Sequence, residues 1–131
     1  MKTIIRVAAA AAIGAFLVVP ALAGNMEARF TNTVVTKAPD GTIVKVFYDK
    51  PDTFLATIDQ PGKAAAHANG KWRVNGDKLC LTSETPFGQF EANKEGCVTL
   101  MGDKVGDTWQ LPSKDAAGKD IKLDVTIVAG R

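Results

Sequence analysis

Turn-forming residues recur along this chain too often to leave room for a long helix. Ala38-Pro39-Asp40-Gly41, Asp49 to Asp52, Asp59 to Gly62, Asn69-Gly70, Asn75-Gly76-Asp77, Met101 to Lys104 and the Pro112–Asp120 loop break it into short segments. Those segments are rich in Val, Ile, Thr and aromatic residues, and none carries a sustained 3.6-residue apolar stripe. Period-two alternation takes its place. In Ile121–Val128, Ile121, Leu123, Val125 and Ile127 alternate with Lys122, Asp124, Thr126 and Val128, the pattern of a half-buried strand. The class this predicts is all-β and antiparallel.

The remaining strands are expected at Ala28–Lys37, Thr42–Tyr48, Thr53–Ile58, Lys71–Val74, Lys78–Thr82, Cys97–Met101 and Val105–Leu111. Lys63–Ala68 is ambiguous. Its alanines favour helix, but turn residues on both sides leave six positions, and it is read as a short edge strand. Between Lys71–Val74 and Lys78–Thr82 the Asn75-Gly76-Asp77 signal predicts a hairpin. Its register stays open between a turn at Asn75-Gly76 and one at Gly76-Asp77. Either register puts Trp72, Val74, Leu79 and Leu81 on one face, and Arg73, Lys78 and Cys80 on the other. About eight strands joined by short turns predict a small antiparallel meander, closed into a barrel or folded as a two-layer sandwich.

Residues 1–23 read as a secretory signal peptide. Lys2 and Arg6 precede the uncharged run Val7–Val19, Pro20 ends that run, and Ala21-Leu22-Ala23 offers a small-x-small cleavage site. The run is shorter than the ~20 residues a membrane span needs. Residues 24–131 then form a single β-domain. Two of the 16 basic residues lie in the leader, so the remainder carries 14 basic against 14 acidic residues. That balance argues against nucleic acid or an anionic membrane as partner. An exported chain with two cysteines, Cys80 and Cys97, is expected to join them. Both oppose the main apolar face, so the disulfide should lie on the outer side of the sheet.

Chemistry is sparse. His67 is the only histidine, so no second imidazole can share a metal with it. Ser83 and Ser113 lack a nucleophile elbow. Asp49 with Asp52, or Glu91 with Glu95, could pair in space, yet each sits where a turn or solvated loop carries acid. The Asp115–Asp124 run lacks the alternating oxygen ligands of a calcium loop. No cofactor or metal is expected. Trp72 and Trp109 suit either core or the lining of a binding cavity. Phe87 and Phe90, around Gly88, either tuck beneath the loop between the cysteines or face outward as a contact patch with Glu84, Gln89, Glu91 and Lys94 as its rim.

The pattern Gly70-x-Trp72, then Gly76-Asp77-x-Leu79-Cys80, then Cys97, resembles one found in small exported β-proteins of Gram-negative bacteria, most of them uncharacterised. The resemblance implies a periplasmic β-fold and no activity. In size, barrel architecture and single disulfide the chain is also similar to periplasmic inhibitors of secreted metalloproteases, whose N-terminal segment enters the protease cleft. Gly24-Asn25-Met26-Glu27 would be that segment. The cysteines here follow Trp72, whereas in those proteins they flank an early Trp-containing strand pair. The functional expectation is a periplasmic or secreted, non-catalytic binding or structural domain whose partner is a protein or a small apolar ligand. A protease inhibitor is the alternative, and a small hydrolase-like enzyme using His67 is the third reading. A binding module should hold an apolar cavity or patch. An inhibitor should expose its N-terminal segment. An enzyme should set His67 in a cleft.

Overall fold

The computed structural model describes residues 24–88 and 90–131, and the leader read in residues 1–23 lies outside them. The fold is all-β. A short helical turn, Glu27–Arg29, precedes eight strands: β1 Thr33–Lys37, β2 Ile43–Asp49, β3 Thr53–Asp59, β4 Ala66–Asn75, β5 Lys78–Ser83, β6 Glu95–Thr99, β7 Thr108–Lys114 and β8 Asp120–Val128. All pairs are antiparallel, in the order β6-β5-β4-β3-β2-β1-β8-β7. The chain meanders from β1 to β6, then forms the β7–β8 hairpin, and β8 returns to pair with β1. The result is a nearly closed barrel with a slot between β6 and β7, so the sandwich alternative does not hold. Among the described residues, no helix is long and apolar enough to cross a membrane.

Alternation dictates the interior. Ile127, Val34, Val46, Ala56 and Ala68 are consecutive cross-strand partners and form one buried layer through β8, β1, β2, β3 and β4. Tyr48 and Phe54 pair in the next layer. Burying such side chains on one face of each strand supplies most of the drive to close a sheet this small. Ile127 is 0 % exposed.

The expected strand Cys97–Met101 is corrected to β6 at Glu95–Thr99, two residues earlier, and three further boundaries differ for local reasons. β1 begins at Thr33, because the residues before it satisfy their polar groups in other ways. The Asn25 side chain accepts the Glu27 N–H and starts the helical turn, and the Asn32 amide donates to the Ala28 carbonyl. Lys63–Ala68 is neither separate nor an edge. Residues 66–75 are one interior strand, paired with β3 on one side and β5 on the other. It continues through Gly70 because no side chain is present there: a Cβ would lie 1.9 Å from the Thr82 carbonyl oxygen. Finally, β7 starts at Thr108, because Asp107 accepts the N–H groups of Asp103 and Lys104 and makes residues 103–107 a turn. The strand then runs on through Pro112, opposite Lys122. Proline is tolerated there because β7 is an edge strand.

The hairpin question resolves to the Gly76-Asp77 turn, with Val74 opposite Leu79 and Trp72 opposite Leu81. Cys80 lies directly opposite Cys97 on β6, and the two are disulfide-bonded. The bond lies on the outer face, and Cys97 is exposed. Cys80 is nonetheless 1 % exposed, sitting between Cys97 and Arg73, its partner on β4.

Candidate functional site: the barrel lumen

The inward face of the barrel does not fill completely. A cavity of about 110 Å³ remains, walled by Val34, Val44, Val46, Leu79, Leu81, Val98, Leu111, Leu123 and Val125. Its lining includes Val98 and Thr99 of β6 and Trp109 and Leu111 of β7, the two strands that bound the slot. A buried arginine, a buried tyrosine, two phenylalanines, Thr36 and Gly88 complete it.

Arg29 is 2 % exposed. The helical turn carries it inward, fixed by its own N–H donating to the Met26 carbonyl at 2.9 Å. The guanidinium Nη1 donates to the carbonyls of Asn25 at 2.9 Å and Gly102 at 3.2 Å, and Nη2 donates to that of Met101 at 2.6 Å. Its centre lies 5.4 Å from the centroid of the Trp109 ring, a cation–π placement. Gly102 makes this packing possible. Its φ is +83°, and a Cβ would lie 2.3 Å from the Trp109 ring. Among the described residues, the Arg29 Nε has no hydrogen-bond partner. Burial lowers the pKa of the guanidinium, opposed by its neighbour Tyr48. No carboxylate contributes to that balance.

Tyr48 is buried beside Phe54. Burial pushes its phenol up to about 12, with the Arg29 charge acting in the opposite direction. At neutral pH it is a neutral hydroxyl beside a buried cation.

The loop joining β5 to β6 supplies Phe87 and Phe90. Residues 87 and 90 exchange both backbone hydrogen bonds, at 2.9 and 3.0 Å, closing a tight turn. Phe87 is 8 % exposed and packs on Phe54 and Phe90, with ring centroids 5.8 and 5.3 Å away. Both rings line the cavity with Gly88. As a contact residue Phe87 is therefore corrected to a wall of the lumen, while Phe90 is half-buried and Gly88 exposed. The loop is tied down by the Glu84 and Asn93 amides, which donate to the Asn69 and Ser83 carbonyls, and apolar rings so placed fall inward.

The two tryptophans part company. Trp109 lines the cavity and Trp72 does not. Ladder pairing between β3 and β4 stops at Thr53–Lys71, so Trp72 lies beyond it and only its amide reaches back, to the Asp52 carbonyl. Its ring packs on Phe30 at 5.6 Å and its indole N–H donates to the Asp49 carbonyl at 2.9 Å. As a lining residue Trp72 is thus corrected to a packing residue outside the lumen.

The remaining candidates hold no assembled chemistry. His67 is exposed on β4, opposite Thr57. The buried Ser83 hydroxyl is engaged with the backbone of Thr85. Cys80, Glu95 and Cys97 have potential ligand atoms within 4.8 Å of one another, but both sulfurs are committed to the disulfide. Glu95 instead accepts two hydrogen bonds from Arg73, at 2.6 and 2.7 Å, which hold its carboxyl below the usual range. The Gly24–Glu27 segment is docked. Gly24 and Asn25 donate to the Leu100 and Gly102 carbonyls, and Met26 is buried.

Fold and site together define a class: an antiparallel β-barrel with one disulfide and an apolar lumen that buries an arginine. A scan against protein-family models and searches of the curated proteins and of the solved structures each found no match.

Two outcomes follow from this packing. Phe87→Ala should lower unfolding stability by roughly 3–5 kcal/mol, the usual range for a core phenylalanine. Urea denaturation measures this, and an unmoved midpoint would mean the ring contributes nothing to the core. Tyr48 is the only tyrosine in the chain, so tyrosinate absorbance reports it alone. Its midpoint in the folded protein should lie near 12, against 10.0 for an ordinary phenol. The unfolded chain ionises first, so this contribution to stability is intact below pH 10. It falls by about 3 kcal/mol as the pH rises through the folded value. A midpoint near 10 would place the phenol in water.

Proposed function

We propose that this chain is an exported, non-catalytic binding barrel that takes a small apolar ligand into its lumen. The observation that carries the reading is the cavity itself. Its walls come from the inward face of the strands, and its lining reaches both strands beside the slot. An apolar cavity in a close-packed barrel forfeits dispersion contacts along its lining, and an apolar guest restores them. At about 110 Å³ the space approaches the ~150 Å³ of an apolar cavity that holds benzene. The leader pattern and the disulfide support a periplasmic or secreted setting. The exposed position of His67 supports a role without catalysis.

Toluene serves as the probe. Saturable binding by calorimetry, with a negative heat-capacity change, and a rise in melting temperature are the expected results. Leu123→Phe, which pushes a larger ring into the cavity, should abolish both. Toluene that leaves the melting temperature unmoved would overturn the reading.

A further inference from the structure

The lumen is mainly apolar, with Thr36, Thr99 and Tyr48 adding hydroxyls, and its charged lining residue, Arg29, is costly to keep. A buried cation loses its hydration and is normally paired with an anion. Three of the hydrogen bonds available to Arg29 go to the carbonyls of Asn25, Met101 and Gly102. Those acceptors satisfy N–H groups without supplying a negative charge. The Trp109 ring offsets part of the remainder. The charge still has no carboxylate beside it among the described residues, and the Nε–H has no acceptor. The one titratable neighbour that alters its ionisation is the Tyr48 phenol, neutral at physiological pH. Arg29 lines a cavity whose other walls carry no charge and, apart from Thr36, Thr99 and the Tyr48 hydroxyl, are aliphatic and aromatic.

We propose that the ligand of this lumen is a compact monocarboxylate, its apolar body against Val46, Leu81 and Val125 and its carboxylate facing Arg29. This rests on the lumen-binding reading and adds the chemistry of the head group. A purely apolar guest would leave the charge and its Nε–H as they are. A cationic guest would be repelled. A phosphate dianion would bring more charge than one guanidinium offsets. A single carboxylate matches both the sign and the magnitude, and charge-assisted hydrogen bonds to arginine are among the stronger ones. The cavity volume limits the body to roughly one ring or a short branched chain.

The test compares benzoate with toluene on the intact protein, using calorimetry and the NMR signal of the Arg29 Nε–H. Toluene is the more apolar of the two, so an apolar pocket alone would favour it. Benzoate should instead bind at least about tenfold more tightly, and only benzoate should move the Arg29 Nε–H resonance. Arg29→Met, where it folds, should bind toluene and lose the preference for benzoate. The wild-type resonance decides the matter where it does not fold. Toluene binding as tightly as benzoate, with no shift at Arg29, would overturn the head-group assignment and leave the lumen reading standing. Binding of neither probe would overturn both.

Discussion

The ladder between β1 and β8 is the contact on which the rest of this molecule depends. Five cross-strand partners, from Thr33–Val128 to Lys37–Asp124, join the first strand to the last. Without them β1 would be an open edge and the β7–β8 hairpin would have no place on the meander. With them, Leu111 and Trp109 of β7 come round to share a lumen with Leu79 and Leu81 of β5. The wall closes except at the slot, where Val98, Trp109 and Leu111 stay half-buried. Apolar burial and strand pairing act together here. The alternation specifies a face, and the β1–β8 ladder makes that face an interior.

Arg29 then acquires two roles from one position. Its guanidinium ties the Asn25 carbonyl to those of Met101 and Gly102, fastening the segment before β1 to the connection after β6. Gly24 and Asn25 reinforce the seam through the Leu100 and Gly102 carbonyls. That clamp accounts for three hydrogen bonds, but not for a full positive charge against the cavity wall. A neutral donor could satisfy carbonyls at lower desolvation cost. The charge is what a clamp alone does not require, and it is the basis for assigning an acidic head group to the guest.

Much of the architecture was legible in residue order. The β8 alternation, the parity of Val44, Val46 and Tyr48, and that of Phe54, Ala56 and Ile58 all place side chains correctly, because a two-residue period is a local property. The outer-face disulfide followed from the same parity. Arg29 was not legible. Continuing β1 back to Ala28 would set Arg29 on the face of Val35, outside the barrel. Only the helical turn, begun by the Asn25 side chain, redirects it inward. A charged residue four positions after an Asn offers no signal that it will be buried. Trp72 failed for a non-local reason as well. Its parity with Leu81 is right, but where ladder pairing with β3 stops is a matter of barrel stagger, which the strand's own residues do not encode. Phe87 shows the same limit: two rings in a loop fit a patch or a core equally well until the loop's anchors at Ser83 and Asn69 are known.

The barrel keeps an apolar space behind its wall, and ligand entry requires that space to be accessible. A crystal of the protein pressurised with xenon addresses it most directly, since xenon enters dry apolar cavities and makes no directional bonds. Xenon should be found within the lumen, in contact with Val46, Leu81 and Val125. A lumen without xenon, or one holding a chain of ordered water, would contradict it.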